Sequence, residues 1–291
     1  MDNDVVVTPS RGFPFQVHEA ALLTLGIATI VALLVKGQVF GPVILEAVGA
    51  TLLYAWVLLS CRGRTDKLRI RFLASYVFVV WFYWAVGRFT PALGTKLRDE
   101  TLLGIDEAIF GQTPAVFCQG AARAWLTDLL SICYMTYHLY LVVVVAHVAL
   151  APDFASQRLG PLLFTGFALG FAGYLLVPAV GPSLSYPELF QEPLPGGTTT
   201  RLIAEVVTTG SSRYDVFPSL HFLITCILLN YDWYRFRRRF WIMLVPSAGL
   251  LVSTVYLRYH YGVDAIAGLI LFLALRQTFS QIERTRTKLP E

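Results

Sequence analysis

Residues 129–151 read LLSICYMTYHLYLVVVVAHVALA, a run without a single Lys, Arg, Asp or Glu. Backbone N–H and C=O groups have no water to bond in a hydrocarbon layer, so such a run is satisfied only as a helix. At 1.5 Å per residue it would reach about 35 Å, enough to cross a hydrocarbon core of about 30 Å. Working outward, similar runs occupy 20–35, 43–61, 72–87, 159–182, 216–231, 240–257 and 259–275. The sequence therefore predicts an all-α, polytopic integral membrane helical bundle of about eight transmembrane helices. The stretch 102–126 is different, because Asp106, Glu107, Gly111, Pro114 and Arg123 interrupt its apolar residues. It reads as one or two interfacial or re-entrant helices.

Composition points the same way. Of 291 residues, 56% are hydrophobic and only 14% charged, with mean hydropathy +0.60. Soluble domains carry about 25% charged residues, so this chain cannot cover a water-facing surface of its size. Disorder, a disulfide-stapled secreted domain and a soluble nucleic-acid binder are excluded together. Cys61, Cys118, Cys133 and Cys226 show no C-x-x-C spacing and read as free, buried thiols. The opening MDNDVVVTPS lacks a basic stretch, so the first apolar run reads as an uncleaved anchor. The expected organisation is an N-terminal region with two spans (1–70), a helical core (71–276) and a basic cytoplasmic tail (277–291).

Basic residues orient the bundle. With both termini cytoplasmic, fifteen of the 23 Lys and Arg fall on the cytoplasmic side, densest in CRGRTDKLRIR and YRFRRRFW. That bias follows the positive-inside rule. The non-cytoplasmic face is then built from 88–128, 183–215 and the turn near 257–259.

Ionisable residues inside spans are costly and mark candidate sites. They are Glu46, His138, His147, His221 and Asp264, with His260 at a span mouth. His138 and His147 read as helix–helix hydrogen bonders, and His18 as interfacial. Glu46 aside, the remaining three fall in two clusters, FPSLH (217–221) and STVYLRYHYGVD (253–264). The topology brings both to one membrane face. His260 and Asp264, four residues apart, share a helix face, where a carboxylate can take one imidazole proton and leave the other nitrogen nucleophilic. His221 could protonate a departing oxygen. A two-His, one-carboxylate metal site and a purely structural network are the competing readings of the same trio.

At these residues the chain resembles the type-2 phosphatidic acid phosphatase superfamily, whose motifs are K-x6-R-P, P-S-G-H and S-R-x5-H-x3-D. Here the second reads PSLH (218–221) and the third S-T-x5-H-x3-D (253–264), while no R-P dipeptide occurs. The resemblance implies His260 as nucleophile, Asp264 as its orienting partner, His221 as general acid and Ser219 as a phosphate contact. Leu220 replaces the family's glycine; with the first motif absent and Thr254 in place of the third motif's arginine, two of the family's phosphate-holding cations cannot be carried over. Arg88, Lys96, Arg98, Arg201, Arg213 and Arg258 are the outer-face candidates to replace them, with Arg258 and Arg213 favoured because they lie within ten residues of the histidines. FPSLH, YLRYHYGVDAIAG, VPAVGP (177–182) and GIDEAIFGQTP (104–114) look like the inositol phosphorylceramide synthase branch, over roughly 100–276.

The resemblance implies an inositolphosphotransferase-like enzyme. It would move a phosphoryl or phospho-alcohol head group from a phospholipid or lipid-phosphate donor to a lipid or alcohol acceptor. A lipid phosphatase or polyprenyl (di)phosphate phosphatase, with water as acceptor, shares the first step. A non-catalytic transporter or lipid-binding scaffold is the reading from another class, though no internal repeat supports it. No cofactor, no metal and no nucleic-acid partner is called for. The membrane would be the plasma membrane of a bacterium or a Golgi/ER-type membrane of a eukaryote, with the active site on its non-cytoplasmic face.

Overall fold

The computed structural model describes residues 15–154 and 158–286. The opening segment expected to precede the anchor and the end of the basic tail (287–291) lie outside the described residues. Among the described residues twelve α-helices run in chain order: α1 (Val17–Val35), α2 (Pro42–Ser60), α3 (Leu68–Leu93), α4 (Asp99–Phe110), α5 (Pro114–Phe117), α6 (Ala124–Leu150), α7 (Leu159–Leu176), α8 (Pro182–Ser185), α9 (Thr198–Gly210), α10 (Leu220–Arg235), α11 (Arg237–Tyr256) and α12 (Gly262–Arg286). No strand occurs among the described residues. Local chemistry sets several ends. Pro42 opens α2 at a position where its missing N–H costs nothing, and Gly94 and Gly111 close α3 and α4 in the left-handed region.

Seven of these helices, α1, α2, α3, α6, α7, α11 and α12, are long and apolar enough to cross a membrane. The expected eighth, near 216–231, is α10, which has only 16 residues, about 24 Å. It starts late because Ser219, just after Pro218, is its N-cap and takes the Phe222 N–H at 3.3 Å. Residues 216–219, expected inside the span, form a turn instead. α10 is sheathed by α7, α11 and α12, so it needs no long lipid-facing run. It still runs beside α12 through the layer: Ser219 N–H donates to the Asp264 carbonyl at 3.1 Å, and Arg276 donates to the Tyr234 hydroxyl at 3.3 Å.

α7 is the central helix, packing on α1, α3, α10 and α12. Its glycines permit this: a Cβ at Gly170 would meet the Leu220 side chain at 2.3 Å, and one at Gly173 would meet Pro218 at 2.2 Å. Buried Leu163, Phe164, Phe167 and Phe171 fill the space between these close approaches. Outward, Leu45, Leu52, Trp56, Val77, Leu139, Val245 and Ile270 are exposed, the belt that lipid tails would cover.

Charges inside the bundle are paired. Glu19 of α1 holds Arg71 of α3, both buried. Glu46 of α2 takes bonds from Trp81 at 3.0 Å and from Arg88. Asp232 of α10, fully buried, takes Tyr140 of α6 and Arg239 of α11, each at 2.7 Å. His147 stacks edge-on against Phe236 and makes no helix–helix hydrogen bond among the described residues, and His18, at the start of α1, is buried against Phe164. The four cysteines are free; Cys61 is buried and the other three half-buried. The stretch 102–126 forms most of α4, the short α5, a single 3₁₀ turn and the first residues of α6.

Candidate active site

The turn before α10 and the turn before α12 meet. Close packing requires Gly268, where a Cβ would lie 2.7 Å from the Ser219 carbonyl oxygen. The result is that His221, second residue of α10, faces His260 across the gap: His260 Nε2 lies 3.3 Å from His221 Nδ1. His260 Nδ1 lies 3.0 Å from the carbonyl oxygen of Val216 and 3.4 Å from Asp264 Oδ2. A carbonyl can only accept, so Nδ1 carries the proton and Nε2 keeps its lone pair. His221 then donates its Nδ1–H to that lone pair.

Asp264 is fully buried, with Oδ2 also taking the Tyr261 N–H at 2.8 Å. Its Oδ1 has no hydrogen-bond partner among the described residues. The Tyr134 and Tyr137 rings of α6 pack on His221 at centroid distances of 4.8 and 4.6 Å, and His138 stands edge-on to it at 6.4 Å. His138 thus sits beside the histidine pair and not in a helix–helix hydrogen bond among the described residues. Among these residues no group of three His, Cys, Asp or Glu side chains is arranged to hold a metal ion.

The structure brings His260, His221, Asp264 and Ser219 together. It does not bring the favoured cations to them. Arg258 has a left-handed backbone, φ 67°, and its side chain turns away to lie over the Phe190 ring at 4.2 Å and donate to the Glu192 carbonyl. Arg213, also left-handed at φ 71°, is exposed. Of the other candidates, Arg88 is held by Glu46 and Arg201 donates to Thr198, while Lys96 and Arg98 are exposed. Burial lowers the Arg258 guanidinium from its ordinary value and raises the Tyr259 phenol; burial and the neighbouring Asp99 carboxylate raise the Tyr261 phenol further. Both phenols are therefore neutral donors at neutral pH.

Sequence reasoning missed three groups here. The Val216 carbonyl carries no side-chain signal at all. Asp99 and Asp106 of α4 are buried, Asp99 bonded to Val180 and Gly181 in the loop after α7, Asp106 to Gly262 and Val263 in the first turn of α12. Their signal was present, since an amphipathic helix seldom buries acids without partners for them.

A family model described as the PAP2 superfamily matches residues 100–276, from α4 into α12, and so includes Ser219, His221, His260 and Asp264. Neither a curated protein nor a solved structure matches the chain. Two turns that deliver His221 and His260 to one point, within a match that covers more than half of an all-helical membrane bundle, leave one assignment: the chain belongs to the PAP2 superfamily.

Proposed function

We propose that this protein is a lipid phosphotransferase working through a phosphohistidine at the non-cytoplasmic face, with an inositol-phosphate-like head group as cargo. The observation that carries the reading is the pair of bonds on His260: Nδ1–H held by Val216, Nε2 open toward His221. In the first step the Nε2 lone pair attacks phosphorus and the bond to the departing oxygen breaks. The oxygen keeps that electron pair and takes a proton from a doubly protonated His221. The phosphorylated His260 is a cation, and the buried Asp264 carboxylate beside it offsets that charge. In the second step neutral His221 takes the proton of an acceptor hydroxyl, whose oxygen forms the new bond to phosphorus. The N–P bond breaks and its electrons return to Nε2.

The 3.3 Å between the two imidazoles is a hydrogen-bond distance. A phosphorus seated about 3–3.5 Å from Nε2 takes the place of that contact. The equatorial oxygens then lie near the first turn of α10, where helix N–H groups and the positive dipole end favour an anion. That turn, with the Ser219 hydroxyl, would do part of the work of the family cations missing here. Arg258 and Arg213 would contribute only by moving from their present positions.

The test uses protein purified into vesicles, wild type beside His260→Ala. Phosphatidylinositol or lipid phosphate is supplied with and without ceramide or diacylglycerol, without added metal. New phospholipid that needs both acceptor and His260 is the expected result. Phosphate release indifferent to acceptor makes the enzyme a phosphatase. Equal turnover by wild type and His260→Ala on every substrate overturns catalysis at this site and returns the transporter or scaffold reading.

A further inference from the structure

α4 has three buried residues, Asp99, Leu102 and Asp106. Spacings of three, four and seven put them on one helix face. A face that buries two carboxylates against one leucine is costly unless each acid is bonded. Both are, and to the same short segment. Asp106 takes the Gly262 N–H at 2.9 Å, the Val263 N–H at 2.8 Å and the Thr113 hydroxyl at 2.7 Å. Asp99 takes the Tyr261 hydroxyl at 3.0 Å and the N–H groups of Val180 and Gly181 at 3.1 and 2.9 Å.

Residues 261–263 are the link between His260 and Asp264. α12's own Asp264 reaches back only to the Tyr261 N–H, and the Tyr261 phenol points to Asp99, so the N–H groups of Gly262 and Val263 are left to Asp106. Asp106 therefore caps α12 from another helix. Contact is tight on the other side too: a Cβ at Gly262 would meet Phe110 at 2.7 Å and Pro114 at 2.8 Å. The backbone that aims the His260 ring is thus held between the Asp106 carboxylate and the end of α4.

We infer that Asp106 is a positioning residue for phosphoryl transfer: by capping α12 from α4 it holds His260 Nε2 in line for attack, without touching substrate. This rests on the proposed role of His260. Misplacing a reacting atom by about 1 Å costs about a hundredfold in rate. A cap lost at residues 262 and 263 acts directly on that placement.

The experiment measures kcat and KM on a lipid phosphate, with thermal unfolding in detergent, for wild type, Asp106→Ala, Asp106→Asn, Asp106→Glu and His260→Ala. Asp106→Ala is expected to fold and to lower kcat about a hundredfold with KM within about twofold. Asp106→Asn keeps an oxygen acceptor at the same reach and should stay within about tenfold of wild type. Asp106→Glu keeps the charge but lengthens the arm, and should fall below Asn. An unchanged kcat in folded Asp106→Ala overturns the inference, and so does a kcat of Glu above that of Asn. If Asp106→Ala does not accumulate, the Asn–Glu order alone decides. His260→Ala separates the two claims: full activity there defeats the proposed function, whereas an inactive His260→Ala beside an unimpaired Asp106→Ala defeats only the clamp.

Discussion

His260 Nδ1 lies closer to the carbonyl oxygen of Val216, at 3.0 Å, than to the carboxylate of Asp264, at 3.4 Å. A backbone carbonyl therefore sets the tautomer of the imidazole, and the carboxylate is left to balance its charge. This division of labour changes what loss of the acid should do. Where a carboxylate alone sets the tautomer, as in the serine-protease triad, the Asp→Asn change costs about 10⁴ in kcat by selecting the wrong one. Here Val216 still selects Nδ1–H, so Asp264→Asn should cost less, about 10²-fold, while His260→Ala removes turnover. Steady-state rates of the two variants check this. A loss in Asp264→Asn as deep as that in His260→Ala would return the tautomer to Asp264.

His221 is expected to matter in proportion to the basicity of the leaving oxygen. General acid catalysis contributes about 10²–10⁴-fold. His221→Gln should lose that much on an alkyl phosphodiester but far less on a nitrophenyl ester, whose leaving group needs no proton. Equal losses on both would show that the side chain does something other than donate a proton.

Gly268 is the point at which α12 lets α10 approach. A Cβ there would lie 2.7 Å from the Ser219 carbonyl and 3.0 Å from Phe222 Cβ, so backbone must move. Gly268→Ala should lower stability by about 1–3 kcal/mol and lower kcat, since the shift separates His221 from His260. Unfolding in detergent and turnover, measured on the same sample, test both. An active Gly268→Ala of normal stability would mean the helices can part without cost.

At the other end of the bundle, Asp232 joins three helices through Tyr140 and Arg239. Removing one partner of a buried pair costs about 3–5 kcal/mol. Asp232→Ala should therefore unfold early, yet the folded fraction should keep the wild-type KM because the site lies a helix length away. A changed KM in folded protein would show coupling between the two ends.

The orientation can be read with an impermeant thiol reagent on sealed cells. Lys96 and Arg64 are exposed at opposite ends of α3. On the positive-inside expectation, Lys96→Cys should label from outside and Arg64→Cys only after permeabilisation. The reverse pattern would invert the bundle.

Long apolar runs are legible because burying a backbone in lipid demands a helix wherever enough apolar residues are consecutive, a condition met locally. PSLH and the His260–Asp264 spacing are legible for a similar reason: a turn and a helix face are written within a few residues. α10 marks the limit. Its apolar residues suggested a span from 216, but Pro218 and the Ser219 cap start the helix at Leu220, and neighbouring helices make up for its shortness.

The sequence by itself determined the all-helical membrane architecture and singled out His221, His260 and Asp264 as candidates. Tertiary structure decided the rest. Only packing could bring the Val216 carbonyl to His260 across 44 positions, turn Arg258 onto Phe190 and Glu192, and hand the cap of α12 to Asp106 at a separation of 156. Hydropathy and motif spacing act along the chain, whereas a hydrogen bond to a carbonyl depends on where another segment comes to rest, and no side chain at Val216 announces it.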